Sequence, residues 1–173
     1  MAGLPAYLRT PRFDTLAANQ LGPALFSPFM HGRTLPVNNA RFILLDPRAT
    51  DFFPDWETIA KDTIAALRWQ VGRNPHDKAL ADLVDELSAH SELFRTRWAD
   101  QVRIHRGGVK TIRHPAVGDL TVSYESMTID SDAGLILTVY SAEPDSPSEK
   151  ALGRLADWAA TVEGEQSTRT PTG

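Results

Sequence analysis

In TIRHPAVGDLTVSYES, residues 111–126, a His-Pro pair and a glycine separate two runs in which apolar and polar residues alternate. A period of two marks a half-buried strand. Pro115 has no amide hydrogen and cannot extend a central ladder, whereas Gly118 can take the dihedral that reverses the chain. The stretch therefore predicts strand, turn, strand, with Leu120, Val122 and Tyr124 on one face. The same alternation places His114 on the face of Ile112. Its imidazole then has three readings: a satisfied core residue at a strand end, a ligand contact at the rim of an interior space, or a catalytic group.

Working outward, VRIHRGGVKTIR (residues 102–113) reads as a hairpin turning at Gly107-Gly108, since two glycines supply the positive φ angles of a tight turn. After the quoted stretch, Ser131 to Gly134 reads as a turn, and Leu135, Leu137 and Val139 alternate in a last strand. The expectation is a four-stranded antiparallel meander. A helix follows, opened by Ser146 as cap, Pro147 at the first position and Glu149 three residues after the cap. It presents Leu152, Leu155, Ala159 and Val162.

Upstream, Ala6 to Arg9 and Arg12 to Leu16 read as short extended pieces around Thr10-Pro11, and Asn19 as the cap of a short helix with Leu21, Leu25 and Phe26. Residues 27–40 look like a loop, and RFILLDP like a short buried run stopped by Pro47. In PDWETIAKDTIAALRWQVGR, residues Trp56, Ile59, Ala60, Thr63, Ile64, Leu67 and Val71 share one helical stripe, with Gly72 ending the helix. A second helix starts near Asp77 and buries Leu80, Leu83, Val84 and Leu87. Ser91 caps a third piece carrying Phe94 and Trp98. Strands, a helical middle and a longer antiparallel run describe an α+β fold, one antiparallel sheet with helices packed on one face. Such a sheet leaves room for a cavity between its layers.

The 173 residues suit one domain able to bury roughly 70% of its unfolded surface. The folded part is expected over residues 4–163, with a disordered polar tail over 164–173. A net charge of −4 with scattered Lys and Arg argues against a nucleic-acid face. The chain has no cysteine, which excludes disulfides and thiolate metal sites. No apolar run approaches the roughly 18 residues of a membrane span, so no membrane contact is expected and the cytoplasm is the default location.

The motifs of serine hydrolases, P-loop proteins, dinucleotide-binding proteins and zincins are absent, and the five histidines show no metal-ligand spacing. The expectation is a protein without catalytic residues, metal or cofactor. Trp56, Phe94 and Trp98 are large aromatics on inward stripes, readable as plain core or as pocket lining. Arg97, between Phe94 and Trp98 around its helix, must either reach outward to water or pair with an anion. Arg68, at the edge of its stripe, has the same two readings.

NARFILLDP, DWETIAKDTIAALRWQVGRNP, LVDELSAHSELFRTRWAD, KTIRHPAVGDLTVSYES and YSAEPDSPSEKAL occur in this order. Together they resemble the ligand-binding domain of MmyB-like transcription regulators, bacterial helix-turn-helix proteins most abundant in actinobacteria. The likeness runs from Leu4 to Val162 and departs from the family pattern at Ala18, Asp100-Gln101 and Arg97. It implies a PAS-like fold with an apolar pocket for a fatty acid or similar amphiphile, and DNA contact only through a helix-turn-helix domain not in this chain. A homodimer is compatible with it. With this reading, the candidate ligand-binding residues are Trp56, Leu67, Arg68, Phe94, Arg97, Trp98, His114, Val122 and Tyr124, and a carboxylate head group would fall to Arg97, Arg68, His114 and Tyr124. The alternative is a dimerisation or interaction module whose interior is filled by its own side chains and which shows an apolar surface patch. A void of a few hundred Å³ would count against it.

Overall fold

The quoted stretch forms two strands, β4 (Gly107–His114) and β5 (Gly118–Ile129), joined by the turn at Pro115 with Gly118 at φ 81°. The computed structural model describes residues 3–100, 106–129 and 134–168. The remaining elements, in chain order, are β1 (Ala6–Arg9), β2 (Asp14–Ala18), α1 (Leu21–Leu25), α2 (Ser27–Met30), β3 (Val37–Asn38), α3 (Asn39–Leu45), α4 (Arg48–Phe52), α5 (Trp56–Arg73), α6 (Lys78–His90), α7 (Glu92–Arg97), β6 (Leu135–Ser141) and α8 (Pro147–Thr168). The six strands make one antiparallel sheet in the order β3-β2-β1-β6-β5-β4. Helices cover one face of it. This is the α+β, PAS-like arrangement that the sequence predicts.

Several local expectations are corrected. Gly107 and Gly108 do not form a turn; they pair with Glu125 and Tyr124 inside the β4–β5 ladder. The first arm of the expected hairpin, residues 102–106, lies outside the described residues except for Arg106. Glycine suits the tight pairing here, since a Cβ at 107 would lie 2.9 Å from the Tyr124 carbonyl oxygen and one at 108 would lie 3.3 Å from the Tyr124 ring. In β6 the alternation runs the other way from the expected set: Ile136, Thr138 and Tyr140 are buried, while Leu135, Leu137 and Val139 are only partly covered. Both sets are largely apolar, so pattern alone could not choose between the faces. Residues 27–40 are not a loop but hold α2, β3 and the start of α3, and RFILL belongs to α3, with Asp46 as its C-cap.

The second extended piece lies two residues later than expected because Arg12 and Phe13 complete the turn after Thr10-Pro11. Phe13 has φ 68°, rare for a bulky residue; its amide donates to the Thr10 carbonyl at 3.0 Å and its carbonyl accepts from Asn39 at 2.9 Å. Helix α5 runs through Gly72 to Arg73, and Asn74 caps it. Helix α8 continues past Val162 to Thr168.

The predicted caps act as expected. Asp77 and Ser91 accept from the amides of Leu80 and Phe94, and Asn38, in the stretch expected to be a loop, caps α3 by accepting from Arg41. Asn19 accepts from Gly22 at 3.0 Å and from Ala6 at 3.1 Å, tying α1 to β1. Ser146 accepts from Glu149 at 3.1 Å, while the Glu149 carboxylate reaches back to the Asp145 amide at 2.7 Å. Each such cap contributes about 1 kcal/mol.

Candidate ligand-binding site

Side chains that alternate onto the inner sheet face build the floor of an interior cavity of about 270 Å³. The β-ladders place Thr128, Ile136 and Arg9 in one cross-strand row, Ser126, Thr138 and Tyr7 in the next, and Tyr124 with Tyr140 in a third. A register shift between Leu8 and Arg9 pairs Arg9 with Thr15 and leaves Leu16 turned out. Such a bulge re-aims the side chains beside it. The aromatic and aliphatic wall is Phe13, Phe26, Phe29, Ile43, Phe53 and Ile59. Helix α5 closes the space with Asp62, Thr63, Ala66 and Gln70, and with Trp69, which together with Arg106 is exposed and marks the mouth.

The phenols form a chain. Tyr7 and Tyr140 share a hydrogen bond at 3.0 Å, and the Tyr140 ring lies 6.1 Å from that of Tyr124. Burial raises the pKa of both Tyr140 and Tyr124, so both are neutral at ordinary pH. Two cations stand among them. The Arg9 guanidinium lies 4.0 Å above the Phe13 ring and donates to the Thr10 carbonyl at 3.2 Å. Lys110 Nζ sits 4.4 Å from the centre of the Tyr124 ring and 5.7 Å from that of Tyr140. Both side chains are half-buried and line the cavity. Burial, and next the repulsion from Arg9, pull the Lys110 pKa down to about 8, with Asp62 opposing.

The positions predicted from sequence are mostly elsewhere. Tyr124 lines the cavity, and Val122 is fully buried beside it, paired with Lys110. Leu67 and Phe94 are fully buried in the helical layer, Phe94 stacked on Trp98 at 4.8 Å. Trp56 donates its indole N–H to the Ile43 carbonyl at 2.7 Å, joining α5 to α3. Arg68 donates to the Asp100 carbonyl at 2.6 Å, and Arg97 pairs with the Asp100 carboxylate at 3.2 Å and with Glu57 at 3.9 Å on the surface. None of these six borders the cavity.

His114 ends its strand as a hydrogen-bonded core residue. The Ala116 amide donates to Nδ1 at 3.1 Å, and this fixes Nε2 as the protonated nitrogen, which donates to the Ala24 carbonyl at 2.8 Å. Ser27 Oγ lies 3.3 Å from the same nitrogen. Burial lowers the His114 pKa below 6.5, and the Ala24 hydrogen bond partly opposes this. The unfolded chain therefore takes up a proton at 6.5 that the folded one refuses, so this contribution to stability is complete above pH 6.5 and is lost as the pH falls. In ¹⁵N spectra the ring is expected to show the neutral Nε2–H tautomer at pH 6.5 and to titrate only below it. A midpoint above 6.5 would contradict the buried geometry.

A family model for the MmyB-like transcription regulator ligand binding domain matches residues 1–155. The chain belongs to that family. No curated protein matches it. The family description agrees with what the interior holds, since the MmyB-like domain has a cavity where an interaction module with a solid core would have side chains. Among the described residues no helix is long and apolar enough to cross a membrane, and no group of three or more His, Asp or Glu is arranged to hold a metal ion.

Arg9 and Lys110 were missed because a cation in a strand is ordinarily a solvent-facing residue. A signal was present. If Ile112 points inward, alternation turns Lys110 inward as well, and an inward Tyr7 brings Arg9 with it.

Proposed function

We propose that this MmyB-like domain is a cytoplasmic, non-catalytic sensor that takes an anionic amphiphile into the cavity over the sheet, and that occupancy alters DNA binding by a helix-turn-helix domain carried outside this chain. The observation that carries the reading is the pair of cations, Arg9 and Lys110, lining the same cavity as Phe13, Phe26, Phe29, Ile43, Phe53 and Ile59. The anionic end of the ligand meets Arg9 and Lys110, and its chain lies against Phe13, Phe26, Phe29 and Ile43. A fatty acid is the simplest such molecule. Burying about ten methylenes at roughly 0.8 kcal/mol each offers about 8 kcal/mol before the costs of association, enough for micromolar binding. Regulation then requires that the ligand prefer one of two arrangements of the domain.

Calorimetric titration with decanoate tests this. One site with micromolar affinity is expected, weakened about tenfold or more in Arg9→Gln, because a charge-assisted hydrogen bond in an enclosed site is lost. Absence of binding by alkyl carboxylates, phosphates and alcohols alike would end the sensor reading.

A further inference from the structure

Outside the cavity, seven of the thirteen described cations are matched by a carboxylate. Arg12, Arg41, Arg48, Lys61, Lys78, Arg97 and Arg113 each stand within ion-pair distance of a carboxylate. Those lining the cavity are not. Among the described residues no ion pair joins Arg9, Lys110 or Arg106 to a carboxylate, and the contacts of the first two are aromatic faces and one backbone carbonyl. Among the described residues the lining carries these three cations and one acid, Asp62. Arg106 is exposed at the mouth, so the enclosed cations are Arg9 and Lys110; among the described residues neither has a carboxylate within ion-pair distance, and Asp62 acts on Lys110 only as the weakest of three influences.

An enclosed charge without a counter-ion is expensive, and the expense is removed only by an anion of matching charge. One carboxylate neutralises one of the two. Arg9 and Lys110 come from β1 and β4, on opposite sides of the β6–β5 pair, and both approach Tyr140, so a head group between them is approached from two directions. A phosphate monoester carries about −1.5 to −2 at neutral pH on three acceptor oxygens. That matches a guanidinium fork on one side, an ammonium on the other and the phenol of Tyr7 or Tyr140 between them.

We infer that the head group this cavity selects is dianionic, an alkyl phosphate monoester rather than a fatty-acid carboxylate. The inference rests on the sensor reading and sharpens it by naming the ligand class. Titrations of the 173-residue chain with octyl phosphate, octanoate and inorganic phosphate at one pH and ionic strength separate the two. Octyl phosphate is expected to bind at least tenfold more tightly than octanoate, and inorganic phosphate, lacking the chain, at least a hundredfold more weakly than octyl phosphate. Arg9→Gln and Lys110→Met should each shrink the phosphate preference to less than threefold. Octanoate binding as tightly as octyl phosphate would overturn the inference while leaving the sensor reading intact. Inorganic phosphate binding as tightly as octyl phosphate would also overturn it, by making the site one for a simple ion. Failure of both amphiphiles would take the sensor reading with it.

Discussion

Lys110→Met is expected to raise the melting temperature of the ligand-free chain by about 4–8 °C. The argument begins at the cavity wall, where the ammonium lies against two tyrosine rings with a guanidinium for a neighbour. Replacing a buried, poorly compensated charge by an apolar side chain of similar length gains about 2 kcal/mol, and a chain of this size shifts by about 2–4 °C for each kcal/mol. Methionine keeps the contact with Tyr124 and needs no counter-ion.

The gain has a pH signature. The folded Lys110 loses its proton near 8, whereas the unfolded chain keeps it up to 10.5. The wild-type chain therefore gains stability as the pH rises through that window, and the variant does not. The advantage of Lys110→Met should be largest at pH 7 and shrink toward pH 10. Tyr124 and Tyr140, whose pKa values are raised, are common to both proteins and cancel in the difference. Thermal melts at several pH values decide the matter: a variant less stable than wild type, or an advantage constant with pH, would show that Lys110 is compensated in the folded chain. The stability cost falls on a residue assigned to ligand contact, as binding sites commonly sacrifice stability for function.

What could be read from the sequence follows from which signals are local. Caps are local, so Asp77, Ser91 and Ser146 marked their helices correctly. The strand pair around Pro115 and Gly118 was legible because its alternation is clean on one side: Leu120, Val122 and Tyr124 against Thr121, Ser123 and Glu125. Strand β6 was not, because Leu135, Leu137 and Val139 are as apolar as the set that faces inward. The helical core was legible, but the candidate site drawn from it missed the cavity. The middle of the α5 stripe, Leu67, packs in the interior, and the cavity is bordered by the edge of the stripe, at Asp62, Thr63 and Gln70. A pocket forms where apolar packing stops, so its lining is found at the mixed borders of amphipathic elements rather than at their apolar centres. Arg9 depends further on a register shift against β2 and on a left-handed Phe13, and neither can be inferred from composition.

The other large effect is expected at Phe26, which connects α1 to α2 and is almost completely buried. Its ring meets Tyr140 at 5.0 Å and Tyr7 at 5.7 Å edge-on, and lies 5.6 Å from Phe29 and 6.3 Å from Phe52. It therefore ties the sheet floor to α2 and α4 while also forming part of the cavity wall. Phe26→Ala removes these contacts and enlarges a void that rigid neighbours cannot fill. A loss of about 3–5 kcal/mol is expected, lowering the melting temperature by roughly 6–20 °C. Denaturant unfolding of wild type and variant measures the difference directly. Phe26→Leu, which keeps much of the volume, should lose less than half as much. The same enlargement makes a second prediction of opposite sign: a longer alkyl chain should stabilise Phe26→Ala more than it stabilises the wild type, because only the variant has room for the added carbons. If Phe26→Ala costs less than 1 kcal/mol and shows no change in chain-length preference, the ring is neither the hinge of the core nor a wall of the cavity, and the ligand's apolar end must lie elsewhere.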